Sequence, residues 1–320
     1  MKKLYFRTTL LLVLFALFVI GAFGNTVTHD TSFSGDGYSI LPIVQSSNSY
    51  SLGHSFAIQP DGKIVVAGEF SFDSTNGSDF ADFTLARFNT NGSLDLPFGS
   101  SGTGQLALDI GSATNSVRNV VLQPDGAIVV SGKPIGNFAG SDHTDIARFN
   151  ANGTLDASFG SGGTLTLAGA EVGEGLVLQP DGKLVLAGSV VQPIAPATSR
   201  FVLMRRNADG SADTGFGSAG TVDVALAENA TAEGVALQAD GKLVVVGTRA
   251  FASNPNFIVA RYGSDGALDS AFGTAGMLSI DFFGFSDAGE NVLVQPDGKI
   301  VVGGLARNNA DGYGVARINP

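Results

Sequence analysis

The sequence predicts an all-β protein: a five-bladed β-propeller, four antiparallel strands per blade, closed by the N-terminal strand completing the C-terminal blade. Three observations lead there. The phrase QPDG or QADG recurs five times, with its aspartate at Asp61, Asp125, Asp181, Asp240 and Asp297, spaced 64, 56, 59 and 57 residues. Glycine is abundant, with 44 copies, and charged residues make up only 15% of the chain. That balance suits short strands joined by tight turns. Finally, the two ends of the chain carry complementary fragments of one module.

Each module reads as four strands. In the first copy these are A (His54–Gln59), B (Lys63–Gly68), C (Phe83–Asn89) and D (Thr103–Asp109). Asp-Gly between A and B, and Asn-Gly or Asp-Gly after C, supply the glycine that a hairpin turn needs at positive φ. Strand B is a run of aliphatic residues (KIVVAG, AIVVSG, KLVLAG, KLVVVG, KIVVGG), the pattern of a strand covered on both faces. One four-stranded sheet cannot bury both of its faces, whereas radial repetition can. The last copy stops after strand C, at Gly314–Asn319, and an orphan DTSF followed by a strand, Asp30–Val44, matches the segment that follows strand C elsewhere. Pairing residues 38–44 with the last strand C removes two open edges at once. The repeats then run over about 46–109, 110–169, 170–226, 227–283, and 284–320 plus 30–45, in a single domain spanning 25–320.

The first 24 residues read as a signal peptide. Lys2, Lys3 and Arg7 form the basic region, Leu10–Ile20 the apolar core, and Ala22 and Gly24 the small residues before a cleavage site at Asn25. The apolar run is short for a membrane span. A secreted or periplasmic product without membrane insertion is expected. Cleavage removes three cations and takes the formal charge from −11 to −14. So acidic a chain repels phosphate backbones, which argues against a nucleic-acid partner, and it favours a soluble monomer. The absence of cysteine excludes disulfides and thiol chemistry.

The run QPDGKIVVAG, followed by FTLARFNTNGSLDLPFG, resembles the delta-60 repeat of exported bacterial proteins. The PDGK hairpin resembles a broader group of PDGK-type propellers. The likeness covers residues 30–320. It implies a propeller and bacterial export, and it implies no activity.

Five internal copies separate scaffold from site. A residue present in every module builds the module. By this test Gln59, Gln123, Gln179, Gln238 and Gln295 are structural, and so are Arg87, Arg148, Arg205, Arg261 and Arg317. Asp95, Asp156, Asp213, Asp269 and Asp30 are the expected partners of these arginines. A site should use positions that differ between modules. The A–B and C–D turns share one face and barely vary. The B–C loops on the other face vary in length and content: Glu69–Asp82, Lys133–Asp145, Ser189–Arg200, Thr248–Asn256 and Leu305–Gly312. Variable loops on a rigid support are where binding concentrates. Seven residues before each turn aspartate, at the start of the innermost strand, stand His54, Arg118, Glu174, Glu233 and Glu290. These five are the candidate binding residues at the channel mouth.

No metal or catalytic residue is assigned. The chain has three histidines and no HExxH, GxSxG or P-loop phrase. Asp142, His143 and Asp145 are too few and too local to argue for a metal. Calcium at NTNGSLD, NANGTLD, NADGSAD and GSDGALD remains open, although a plain turn explains these sequences and no distal bidentate Glu follows them. The glycosylation sequons at Asn76, Asn91, Asn152 and Asn229 carry little weight in a chain of bacterial appearance. The expected function is a non-enzymatic binding or scaffolding module that takes an unidentified protein or glycan on the B–C loop face. The alternative is a metal-dependent hydrolase, lyase or lactonase-like enzyme using the channel mouth.

Overall fold

The computed structural model describes residues 28–40, 50–72, 80–110, 115–134, 143–168, 171–192, 198–224, 229–249, 254–308 and 310–320. The expected signal peptide and residues 41–49 lie outside them. The chain forms two compact units, Met1–Ile40 with Asn91–Ser93, and Leu41–Thr90 with Leu94–Pro320.

The larger unit contains nineteen strands in five antiparallel sheets, with no helix among the described residues. The first sheet is β1 (Tyr50–Ile58), β2 (Ile64–Phe72), β3 (Phe80–Phe88) and β4 (Gln105–Leu108), paired in that order. The second is β5 (Asn115–Leu122), β6 (Ile128–Pro134), β7 (His143–Phe149) and β8 (Thr164–Ala168). The third is β9 (Glu171–Leu178), β10 (Leu184–Gln192), β11 (Thr198–Arg206) and β12 (Thr221–Val224). The fourth is β13 (Ala230–Leu237), β14 (Leu243–Arg249), β15 (Asn256–Tyr262) and β16 (Met277–Ile280). The last has three strands, β17 (Ala288–Val294), β18 (Ile300–Arg307) and β19 (Asp311–Ile318). In the first sheet the first three strands extend further towards the B–C loop than the sequence suggested, and β4 is shorter.

The A–B hairpin closes in the same way in all five sheets. In the first, Gln59 N donates to Lys63 O and Gly62 N to Gln59 O, both at 2.8 Å, and Gly62 sits at φ 84°. Only glycine takes that φ without strain. Asp61 Oδ1 accepts from Lys63 N at 3.1 Å, which explains the aspartate.

Four apolar clusters lie between successive sheets. Phe83 and Leu85 of the first sheet meet Val117, Val120 and Val130 of the second. Val129 and Ile146 meet Leu176, Leu186 and Val202. Phe201 and Leu203 meet Val235 and Ile258, and Phe257 and Val259 meet Val292 and Val302. The middle strands of the second, third and fourth sheets are therefore buried on both sides, as their aliphatic runs required.

The repeated arginines fix the outer half of each of the first four sheets. Arg205 Nε donates to Asp213 Oδ2 at 2.6 Å, its Nη1 donates to Ser264 O of the next sheet's turn at 2.5 Å, and its guanidinium lies 4.5 Å from the centre of the Phe216 ring. Arg87 does the same with Asp95, Ala151 and Phe98. Arg148 and Arg261 pair with Asp156 and Asp269. The Lys183 ammonium, the Gly215 N–H and Arg205 together hold the Asp213 carboxyl down at about 2. The fifth arginine, Arg317, is exposed.

The smaller unit contains the orphan DTSF turn. Asp30 Oδ1 accepts from Ser32 N and Oγ at 3.0 and 2.6 Å, and Phe33 N donates to Asp30 O at 3.0 Å. Asp156, Ser158 and Phe159 make the same bonds. Ser34 N donates to Asn91 O at 2.7 Å, just as Gly99, Gly160 and Gly217 donate to Asn152, Asp209 and Asp265. In the larger unit each of those bonds ties one sheet to the turn of the next. The orphan segment is thus a true copy of the D-x-x-F turn, bonded to the first sheet's turn residue Asn91. The closing strand expected after it does not appear: Tyr38–Ile40 is not strand, residues 41–44 lie outside the described residues, and no strand among those described covers the outer edge of β19.

If the guanidinium nodes hold the sheets together, Arg205→Ala breaks a buried pair and should cost about 3 kcal/mol. Urea unfolding measures this. An unchanged midpoint for both Arg205→Ala and Arg261→Ala would show that the arginines carry no structural load.

Candidate functional site

The five candidate residues share a feature that the sequence did not announce: each sits at a β-bulge in the innermost strand. The register of β1 on β2 skips His54, that of β5 on β6 skips Arg118, that of β13 on β14 skips Glu233, and that of β17 on β18 skips Glu290. In β9, Gly173 and Glu174 both fall in the skip. A bulged residue leaves the hydrogen-bonded ladder and its side chain is re-aimed. Five sheets thus present a non-ladder residue at the same height.

The residue after each bulge is small because successive inner strands close on one another there. Ser55 Oγ accepts from Val120 N at 3.2 Å, and Asn119 Nδ2 donates to Glu174 O at 3.3 Å. A Cβ on Gly175 would lie 2.8 Å from Val235 N, and one on Gly234 would lie 3.0 Å from Glu290 O. Neither space admits a side chain without backbone movement.

The charges form two groups. His54 Nε2 lies 3.4 Å from Glu69 Oε2, and Glu69 is only 5% exposed, with that oxygen making no hydrogen bond. Arg118 Nε lies 3.8 Å from Glu174 Oε2, and Lys133 Nζ forms a short ion pair with Glu174 Oε1. Glu233 is half-buried. Burial first, then the Glu174 carboxylate and more weakly Glu290, push its carboxyl above the usual range, against a hydrogen bond from Thr231 and the Lys133 ammonium. Glu290 is exposed. Arg118, Glu174, Glu233 and Glu290 therefore belong to one electrostatic cluster, and His54 pairs apart from them with Glu69.

Sequence reasoning named Glu69 and Lys133 only as loop boundaries. Both stand eight residues after a turn aspartate, on the strand beside the bulge. The same position holds Ser189, whose Oγ accepts from Ala232 N at 3.0 Å. A second ring of varying residues one strand outward was the signal that could have found them.

The other candidates are accounted for. Asp145 is buried, accepts from Thr166 Oγ1 at 2.6 Å and lies 3.2 Å from His143 Nε2, in a position that Thr84, Val202 and Ile258 hold elsewhere. Asp142 and the centres of all five B–C loops lie outside the described residues. Among the described residues no three His, Asp or Glu side chains are grouped to hold a metal ion. At the turns considered for calcium, Asn91, Asn152, Asp209 and Asp265 direct Oδ1 at their own backbone two residues on.

Glu233 should titrate above 4.5, its ordinary value, and Glu174→Gln should bring it down. Carboxyl-carbon NMR reads both. Because the folded-state value is raised, this residue favours folding in acid and loses that contribution as pH rises through the folded value. Glu233→Gln should therefore gain stability relative to the parent between about pH 4 and pH 7. An unshifted Glu233, indifferent to Glu174→Gln, would dissolve the cluster.

Several solved structures resemble the chain. It resembles a protein of unknown function from Dyadobacter fermentans DSM 18053 at 14% identity and a TM-score of 0.51, over 87% of this chain and 81% of that one. A glucose dehydrogenase matches at 13% identity and 0.45, over 83% and 81%. A virginiamycin B lyase from Staphylococcus aureus matches at 10% and 0.39, over 85% and 74%. At such identities the likeness concerns the fold alone. It corrects the expectation of a non-enzyme, since folds of this kind include enzymes and the architecture gives no ground for excluding catalysis. No protein of curated function matches by sequence. A family model described as a β-propeller domain of unknown function (DUF5122) matches residues 59–98, 123–159, 179–216, 238–272 and 295–320, one segment in each of the five sheets. The chain belongs to the DUF5122 β-propeller family.

Proposed function

We propose that this chain is an exported binding propeller whose ligand site is the bulged inner rim, with the B–C loops around it. One observation carries the reading. At a fixed height in five otherwise uniform sheets, the residue released from the ladder is different in kind: His54, Arg118, Glu174, Glu233, Glu290. Structure alone demands no such variety there, because the positions that build the sheets are uniform. A small polar ligand, or the polar tip of a protein or glycan, fits a rim lined by charges of both signs. Nucleic acid does not suit an acidic chain.

A thermal-shift screen of polar metabolites and oligosaccharides, run on the parent and on the Glu174→Gln/Glu233→Gln/Glu290→Gln variant, tests this. Compounds that stabilise the parent should lose their effect in the variant. Compounds that stabilise both equally would move the site elsewhere.

The rim becomes a ring only if the five sheets close, and closure belongs to the same proposal. The first sheet exposes Phe56 (67%) and Ile58, whose counterparts Val120, Leu176 and Val235 and Leu122, Leu178 and Leu237 all pack backwards on the preceding sheet. The last sheet exposes Tyr313 (101%) and Val315, whose counterparts Phe83, Phe201 and Phe257 and Leu85, Leu203 and Val259 all pack forwards. These two faces are the unmated halves of the interface that occurs four times inside the unit. Mating them brings His54 to the Glu290 side of the rim. One experiment checks export and closure together. Protein recovered from the native cell envelope should begin at Asn25 by intact mass and be monomeric, with slow amide exchange along β19. Deleting residues 25–45 should accelerate that exchange and cause association. A retained Met1–Ile20 segment would refute export, and equal exchange and association in both forms would refute closure.

A further inference from the structure

One of the five A–B turns departs from the others, and it does so where a pocket opens. At the A–B turns of the third, fourth and fifth sheets lies a pocket of about 440 Å³. Pro180, Leu237, Val294 and Pro296 form its apolar walls, and Gln238, Ala239 and Gln295 supply polar groups. A space of that size holds a small ligand.

Two features of the fourth turn set it apart. The turn glutamines of the first three sheets are held by arginine: Gln59, Gln123 and Gln179 accept through Oε1 from Arg87, Arg148 and Arg205 at 3.3, 2.6 and 3.5 Å. Gln238 is as buried as they are, at 7% exposed, yet its Oε1 makes no hydrogen bond among the described residues. A buried amide oxygen without a donor costs free energy, so a donor brought by a ligand is favoured there. The second feature is Ala239, which stands where the other turns carry Pro60, Pro124, Pro180 and Pro296. Proline has no N–H to offer. Ala239 has one, is exposed, and donates to no partner among the described residues. Adjacent residues of one turn thus bring an unused acceptor and an unused donor to the same pocket. These groups are neutral, and Lys242 of the same hairpin is paired with Asp240 and Asp269.

We propose that this pocket takes a neutral amide on an apolar body, as in a carboxamide or a short apolar peptide. The ligand's N–H donates to Gln238 Oε1, the Ala239 N–H donates to its carbonyl oxygen, and the aliphatic walls cover the rest. The site lies beyond the C-terminal ends of the inner strands and does not depend on the rim.

Amide NMR and titration calorimetry test this, with N-acetylleucinamide and benzamide as probes and methyl benzoate as an ester that lacks the N–H. The amides should bind and shift the Ala239 N–H and Gln238 side-chain signals. Methyl benzoate should bind roughly tenfold more weakly than benzamide, about the worth of one hydrogen bond. Ala239→Pro restores the residue with which the other four turns fold, and should weaken the amides by a similar factor. Gln238→Met removes the acceptor at similar size and should do the same, while the triple-glutamine rim variant should bind like the parent. The proposal is overturned if the amides do not bind, if the ester binds as tightly as benzamide, or if the Ala239 and Gln238 signals stay unshifted. Full-strength binding to Gln238→Met, or loss of binding in the rim variant, would overturn it too.

Discussion

The guanidinium at the end of each strand C is the interaction on which the rest depends. In the first four sheets it ties its own strand to the D-x-x-F turn through a carboxylate, in the first, third and fourth it covers the phenylalanine of that turn, and in the first and third it reaches a backbone carbonyl of the next sheet's turn. Lysine could supply the charge but not the planar fork that makes several directed bonds at once. Around this node everything else is generic: aliphatic middle strands, apolar clusters between sheets, glycine at the positive-φ corner. Because the node joins sheet to sheet in the first and third sheets, it helps to hold them together without disulfides, which the chain lacks.

Much of this was legible in the sequence. The five modules, the strand order, the hairpin chemistry and the arginine–aspartate pairs of the first four copies all follow from residues that recur at fixed offsets, and recurrence is what a repeat scaffold writes into its chain. The closing strand was not legible in the same way. DTSF matches its counterparts so well that its turn forms with the same hydrogen bonds. What should follow it, near Tyr38–Val44, lacks the regular alternation of TLTLA or TVDV, so analogy carried the expectation where pattern did not. Arg317 is the complementary case, a scaffold residue by recurrence that stands exposed.

The candidate site was half legible. Comparing modules found the five inner positions because they vary where neighbours do not. It did not find that they are bulged, since a bulge depends on counting both strands of a pair, and a single strand's sequence does not contain that count. Nor did it find Lys133 and Glu69, which act on the rim from the adjacent strand. Lys133's contribution is electrostatic and three-dimensional: burial and then the Glu174 carboxylate of another sheet push Glu233 up, and the Lys133 ammonium of a third sheet opposes them.

The bulges also bear on how such a protein diversifies. A residue inside the ladder is constrained twice, by its cross-strand partner and by the sheet stacked on it, so changing it disturbs the architecture. The skipped residue answers to neither. Five sockets, linked through the charges they carry, are thereby cut into a frame that need not be refitted when their contents change. A lineage could replace a glutamate by an arginine in one socket, alter the ligand, and leave folding almost untouched.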